Sequence, residues 1–452
     1  MVGTAQAPKA SWLSAIPPDK RRTVAGGAIG TLMEYFDYYL YGLASATVFP
    51  KVFFPQDNLA TGTLLSFATF AFGFLLRPIG GVIWGHVGDR MGRKTALMIT
   101  VVGMGLSTAA IGFIPDTKNF AAAPILLLVF RMLQGLFVGG EMGNAASLVV
   151  EHAPPGRRGL FGALLISGAG IANVMAAGSM AALGTSQSFF LTWGWRIPFI
   201  FSLVLAIIAI ILRSKLEESE EFQALQAEPQ AGQQKRKSPL KVALRHPKNT
   251  ILGILIGLPQ SIAGYIVLTF GLAFLVSKGT HAQVGFIGTM LVGFLQIFAA
   301  PYWGSISDKF GRRRTYIFGC AAFAILLYPT FALFKTDVAI LIWLGMILGF
   351  VIPGVAMQAT LQTLLCEMFD VEARTTGVNI GYQISNTIGG GFAPLIAVAL
   401  STSFNSIWPV IIYAAIICVI GIIATAYASI RPDVQDAPRL HEEAARDQQM
   451  VA

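Results

Sequence analysis

The chain has 452 residues, of which 54% are hydrophobic and 12% charged, with a formal net charge of +9. A soluble domain carries about a quarter charged residues, so this composition excludes an ordinary soluble fold. The basic residues belong to separate polar segments rather than one patch, which excludes a nucleic-acid role.

Residues 1–22 form a polar tail containing Pro17-Pro18 and Lys20-Arg21-Arg22. It shows no short apolar region with a cleavage site, so the first apolar run is expected to act as an uncleaved insertion signal. Apolar runs of bilayer-spanning length then recur at roughly 23–49, 61–84, 95–115, 124–150, 160–184, 195–213, 250–277, 283–304, 315–334, 338–365, 376–401 and 408–430. In lipid the backbone must satisfy its own hydrogen bonds, and such long continuous runs predict helices rather than the short alternating strands of a barrel. The fold class is all-α integral membrane, with twelve transmembrane helices. A polar linker at 214–249 divides them into bundles at 23–213 and 250–430, and a second tail covers 431–452. The linker starts acidic (Glu217, Glu218, Glu220, Glu221) and turns basic (Lys235-Arg236-Lys237), which reads as a solvated tether with one interfacial helix.

Of the 32 Lys and Arg, Lys51, Lys118, Arg196, Lys278 and Lys335 fall in one set of loops, and Arg77 and Arg131 fall inside predicted helices. The rest occupy the tails and the alternate loops, which places both termini in the cytoplasm. Cys320, Cys366 and Cys418 each sit in a different apolar run, without disulfide or metal-ligand spacing. There is no phosphate loop, nucleophile–base pair or His/Cys/Asp cluster, so neither an enzyme nor a cofactor is expected.

The two bundles read as repeats. Gly85-His-Val-Gly-Asp89-Arg90-Met-Gly92-Arg93-Lys94 returns as Gly304-Ser-Ile-Ser-Asp308-Lys309-Phe-Gly311-Arg312-Arg313, each preceded by Trp. Glu151 is followed seven residues later by Arg158, and Glu367 seven later by Arg374. A duplicated six-helix unit predicts two pseudo-symmetric bundles with a site at their interface, near the bilayer midplane.

These paired motifs resemble the signature of the major facilitator superfamily. Glu34-Tyr-Phe-Asp37-Tyr38-Tyr39-Leu-Tyr41-Gly42, Arg77-Pro78-Ile-Gly80-Gly81, Arg131-Met-Leu-Gln134-Gly135, Gly139-Gly140-Glu141, Glu151-His152-Ala-Pro154 and Gly194-Trp195-Arg196-Ile-Pro198 resemble, more closely, its metabolite:proton symporter family. That family includes bacterial carriers of citrate, 2-oxoglutarate, shikimate, and proline or betaine. The resemblance implies alternating access in the bacterial inner membrane, with protons and a small metabolite as partners, and a functional monomer.

Ionisable groups at membrane depth are functional candidates by default, because burying them costs at least about 2.5 kcal/mol each. Glu34 and Asp37 share a helix face at i and i+3, continued by Tyr38 and Tyr41; Arg131, Gln134 and Glu141 line one stripe of the fourth helix. A carried proton needs a carboxyl that alternates between buried and arginine-paired surroundings. Glu34 or Asp37 is expected to carry it, with Arg131 and Glu141 modulating. Arg77 has no charged counterpart in the second half. Its planar fork can meet a substrate carboxylate, or it can pair with Glu141. The second half offers neutral groups, of which Tyr265, Gln358, Tyr382 and Asn386 are the substrate-binding candidates beside Tyr38, Tyr41, Arg77, Arg131 and Gln134.

In the repeated motif the glycines permit a tight turn and close helix approach, and the aspartate suits a helix amino terminus. By pseudo-symmetry Asp89 is expected to cap the eleventh helix near Arg374, and Asp308 the fifth near Arg158. Arg90 and Arg93 are expected to reach carboxylates such as Glu151. Asp89, Arg90, Arg93, Asp308, Arg312, Glu151, Arg158, Glu367 and Arg374 are thus the gating candidates. The expected function is proton-coupled uptake of a small organic acid (mono-, di- or tricarboxylate). A zwitterionic osmolyte such as proline or betaine is the alternative cargo, and a membrane substrate receptor the alternative class. Antiporters and sugar porters fit less well: the fifth helix lacks a Gly-Pro pair, and the sugar-porter signature after the sixth helix is missing.

Overall fold

The computed structural model describes residues 21–54, 58–91, 93–117, 120–139, 153, 156–214, 247–369 and 371–429. Among them are no strands. The first six helical spans are α1 (Arg21–Thr47), α2 (Leu59–Leu75 continued by Arg77–Met91), α3 (Arg93–Gly112), α4 (Ala123–Val138), α5 (Arg158–Leu183) and α6 (Arg196–Ser214). The second six are α7 (Pro247–Gly264, then through a π-helical turn to Gly271–Ser277), α8 (Ala282–Phe310), α9 (Arg312–Phe334), α10 (Ala339–Met346 continued by Pro353–Met368), α11 (Val371–Ser385 continued by Ala393–Ser403) and α12 (Trp408–Tyr427). By length and apolarity alone, nine helices among the described residues can cross a membrane, or ten if the bent segment entering α6 is one span. The other two differ for physical reasons. The described part of α4 is 16 residues long, and α1 carries Glu34 and Asp37 within its apolar stretch.

α2 is interrupted next to a proline. The helix stops at Leu75 and restarts at Arg77, because Pro78 has no N–H to donate to the Phe74 carbonyl four residues back. In the second half, π-helical turns interrupt α7 at Tyr265–Phe270, α10 at Ile347–Val351 and α11 at Asn386–Gly391. Such wide turns free backbone groups and re-aim side chains, and they recur at functional sites.

With lipid as solvent, helices associate through close packing rather than hydrophobic burial, so small residues mark the seams. Gly135 of α4 lies against Gly73 of α2 so closely that a Cβ there would stand 1.8 Å from the Gly73 carbonyl oxygen. Between the halves, α5 runs along α8, with Gly170 and Gly293 in contact midway. At one end of the first half, Arg196 stacks on Trp195 and donates to the carbonyls of Thr192, Gly112 and Ile114, closing α3 onto α6.

Candidate substrate and proton site

Two buried arginines face one aromatic ring. Arg77 and Arg131 are each 1% exposed, and their guanidinium carbons lie 3.7 and 5.6 Å from the centroid of Phe74. Arg77 also stacks on Tyr38 at 4.0 Å, and Arg131 on Tyr41 at 4.2 Å and Phe70 at 4.8 Å. A desolvated cation over a ring gains about 2 kcal/mol, which offsets part of the burial cost.

Each arginine is joined to one carboxylate of α1 by a different route. Arg77 Nη1 donates to the Tyr38 hydroxyl, which donates to Glu34 Oε1. Arg131 Nη1 donates to Gln134 Oε1; Gln134 Nε2 donates to Thr108 Oγ1 at 2.7 Å; and Thr108 lies 2.9 Å from Asp37 Oδ2. So Glu34 and Asp37, expected on one face of α1 from their i, i+3 spacing, belong to separate chains of hydrogen bonds. Nε and Nη2 of both arginines find no hydrogen-bond partner among the described residues. That leaves two partly used forks at the centre of the first half, the donor set that matches a carboxylate.

The second half closes this centre with neutral groups. The Tyr265 ring meets Phe70 and Phe74 edge-on at 5.5 and 5.9 Å. The Tyr382 hydroxyl lies 3.1 Å from that of Tyr35, Thr387 donates to the Phe74 carbonyl at 3.0 Å, and Gln358 accepts from Gln296 at 2.8 Å. Asn386 turns its amide back to the Tyr382 carbonyl, at 3.0 Å in its own helix. Tyr41 is bonded to Thr69 at 2.8 Å, away from the carboxylates. Thr108, Phe70 and Phe74 escaped the sequence reading, because threonine and phenylalanine in apolar helices carry no signal until a neighbouring helix is placed.

At the far end of α8 the second motif makes the contacts that pseudo-symmetry predicted. Asp308 accepts from the amides of Gly159 and Leu160 at 2.8 and 2.9 Å, capping α5. Arg312 donates a hydrogen bond to Asp308 at 2.8 Å and forms an ion pair with Glu367 of α10, also at 2.8 Å. The Arg158 carbonyl accepts from Thr363 at 3.4 Å. The motif is helical through Phe310, and Gly311 alone makes the turn, at φ 93°. Glu141 and Glu151 lie outside the described residues, as do the side chains of Asp89, Arg90, Arg93 and Arg374. Among the described residues no three His, Cys, Asp or Glu gather as a metal site.

Residues 24–242 match the family described as Sugar (and other) transporter, and residues 260–448 match Major Facilitator Superfamily. The shikimate transporter of Escherichia coli (strain K12) is 39% identical over 407 residues, covering 89% of this chain and 92% of the relative. The chain belongs to the major facilitator superfamily. It is a multi-pass membrane transporter and not an enzyme. The proline/betaine transporter of Salmonella typhimurium, another relative, is 33% identical over 415 residues, covering 89% of this chain and 82% of its own. The superfamily fold is shared with the partially occluded, inward-open xylose transporter XylE from E. coli, at a TM-score of 0.69 and 18% identity over 90% of this chain and 96% of that one.

Proposed function

We propose that the protein is a proton-coupled symporter that takes up a small organic acid across a bacterial inner membrane by alternating access. The reading rests on one observation above others: the two buried guanidiniums beside Phe74, each with Nε and Nη2 unpartnered among the described residues. A buried, unsatisfied cationic fork is costly, and an incoming carboxylate relieves that cost. The relationship to a shikimate transporter supports the same cargo class.

In this reading Glu34 or Asp37 carries the proton. Each is buried and joined through hydrogen bonds to one arginine, so protonation of the carboxyl removes a negative charge that competes with the substrate for that arginine. Glu141 is read as a third modulating carboxylate. Tyr38, Tyr41, Gln134, Tyr265, Gln358, Tyr382 and Asn386 shape the cavity. The Asp308–Arg312–Glu367 contacts with α5 form a cytoplasmic latch, and Asp89, Arg90, Arg93, Glu151, Arg158 and Arg374 serve as its counterpart. The halves 23–213 and 250–430 rock about this site in a monomer, with both termini in the cytoplasm.

A zwitterionic osmolyte is the second reading, favoured by the proline/betaine relative and by the aromatic walls of Tyr38, Tyr41, Phe70 and Phe74. Aromatic rings suit a quaternary ammonium, but here the rings already hold guanidiniums. The deciding experiment is uptake by proteoliposomes under an imposed inward proton gradient. The panel is shikimate, citrate, 2-oxoglutarate, proline and glycine betaine. Gradient-driven accumulation of an acid is expected; accumulation of betaine alone overturns the cargo, and binding without uptake makes the protein a receptor.

A further inference from the structure

The Thr108 hydroxyl has one hydrogen and two acceptors at equal distance. Its Oγ1 lies 2.9 Å from Asp37 Oδ2 on α1 and 2.9 Å from the Met104 carbonyl, one turn back on α3. Gln134 Nε2 donates to the same oxygen at 2.7 Å. Gln134 cannot reverse its amide, because its Oε1 accepts from Arg131, and a guanidinium only donates. The oxygen is therefore held, and only the hydrogen can turn. Thr108 is 0% exposed, Gln134 1% and Asp37 3%, so water does not substitute for a missing partner.

We propose that Thr108 is a positioning residue whose hydrogen swings between Asp37 and the Met104 carbonyl as Asp37 loses and gains its proton. With Asp37 ionised, the Thr108 O–H donates to Oδ2. With Asp37 protonated, the carboxyl O–H donates to Thr108 Oγ1, and the threonine hydrogen turns to Met104. In both settings the oxygen accepts from Gln134 and no buried donor is stranded. The only bond made or broken is the O–H of the Asp37 carboxyl, whose proton comes from and returns to solvent; the threonine hydrogen never leaves its oxygen. Gln134 alone could serve only the ionised setting. The charged groups acting on Asp37 are Arg131 from α4 and Arg77 from α2; on its own helix Glu34 and Tyr38 belong to the Arg77 chain, and Tyr41 turns to Thr69. Tyr265 faces the arginines from α7. Residues 159–183 of α5, 95–112 of α3 and 197–212 of α6 contain no titratable side chain.

The inference rests on the reading of Asp37 as a proton carrier, and one experiment separates the two. The full-length protein is reconstituted in lipid, and the infrared carbonyl band of protonated carboxyls is titrated; no substrate is needed. Asp37→Asn is expected to delete one component of that band, and if no component is lost, Asp37 is not the carrier. Thr108→Val keeps the side-chain shape without the hydroxyl. The ionised carboxylate then loses a charge-assisted donor and the neutral form a weaker bond, so the midpoint of the Asp37 component moves about one to two pH units alkaline. Thr108→Ser is expected to return the midpoint to that of the parent protein. Thr108→Ala, which cannot crowd the site, is expected to move it like valine. An unmoved midpoint in the valine and alanine variants, or no recovery with serine, overturns the swinging hydroxyl and leaves Asp37 in its role.

Discussion

Asp308 closes the amino terminus of α5 through Gly159, whose backbone amide donates to its Oδ1 at 2.8 Å. The contact crosses between the two halves, which makes it a link that must break if they rock apart at this end. A helix amino terminus exposes unsatisfied N–H groups and positive dipole charge, and Asp308 answers both. Arg312 then ties the same carboxylate to Glu367 on α10.

Asp308→Asn keeps the size of the side chain and removes its charge. A hydrogen bond to a charged group contributes about 1.5–3 kcal/mol, so the closed arrangement is expected to lose at least tenfold in population. Cys366 lies beside Glu367 and is 1% exposed. Its labelling by a membrane-permeant maleimide, located by mass spectrometry, is expected to run about tenfold faster in the variant. An unchanged rate removes the latch.

This contact was legible before any helix was placed. The repeat paired Asp308 with the start of α5, and Gly159 and Leu160 are where that expectation fell. Twelve helices were legible too, since bilayer-length apolar runs admit little else. The routes to the carboxylates were not. Periodicity put Glu34 and Asp37 on one face of α1, but it cannot say that Tyr38 bridges Glu34 to Arg77 while Thr108 bridges Asp37 to Gln134. Those pairings depend on how α2, α3 and α4 rotate against α1, and rotation is set by small residues whose sequence signal is faint.

Gly135→Ala tests that rotation. The added Cβ would stand 1.8 Å from the Gly73 carbonyl oxygen, a backbone atom that cannot step aside without moving α2 from α4. Overpacking of this kind costs about 1–3 kcal/mol. A lower melting temperature in detergent is expected, together with loss of uptake, since Arg131 stands one turn away on the same helix. A variant as stable and active as the parent protein contradicts the close approach of α2 and α4.

Tyr382→Phe removes one neutral hydrogen bond between the halves, that of Tyr35 with Tyr382 at 3.1 Å. Such a bond contributes about 0.5–1.5 kcal/mol. The shift in the balance between open and closed forms is therefore expected to be about two- to tenfold, smaller than for Asp308→Asn. Distance distributions between spin labels on the two halves measure it. An effect as large as that of Asp308→Asn means that Tyr382 does more than join the halves.

Arg77→Lys and Arg131→Lys separate cargo binding from proton coupling. Both substitutions keep the charge and lose the planar fork, so each is expected to raise the KM for the transported acid about tenfold or more. They differ in what the remaining nitrogen holds. Arg131 Nη1 fixes Gln134, which fixes Thr108 beside Asp37. Arg77 Nη1 holds Tyr38 beside Glu34. If Asp37 carries the proton, Arg131→Lys shifts the pH profile of uptake and Arg77→Lys leaves it in place. If Glu34 carries it, the pattern reverses. Uptake measured across pH at saturating acid reads the difference directly, because saturation suppresses the KM effect common to both. Profiles that stay fixed in both variants mean that neither arginine communicates with the carried proton, and the coupling scheme built on these two chains fails.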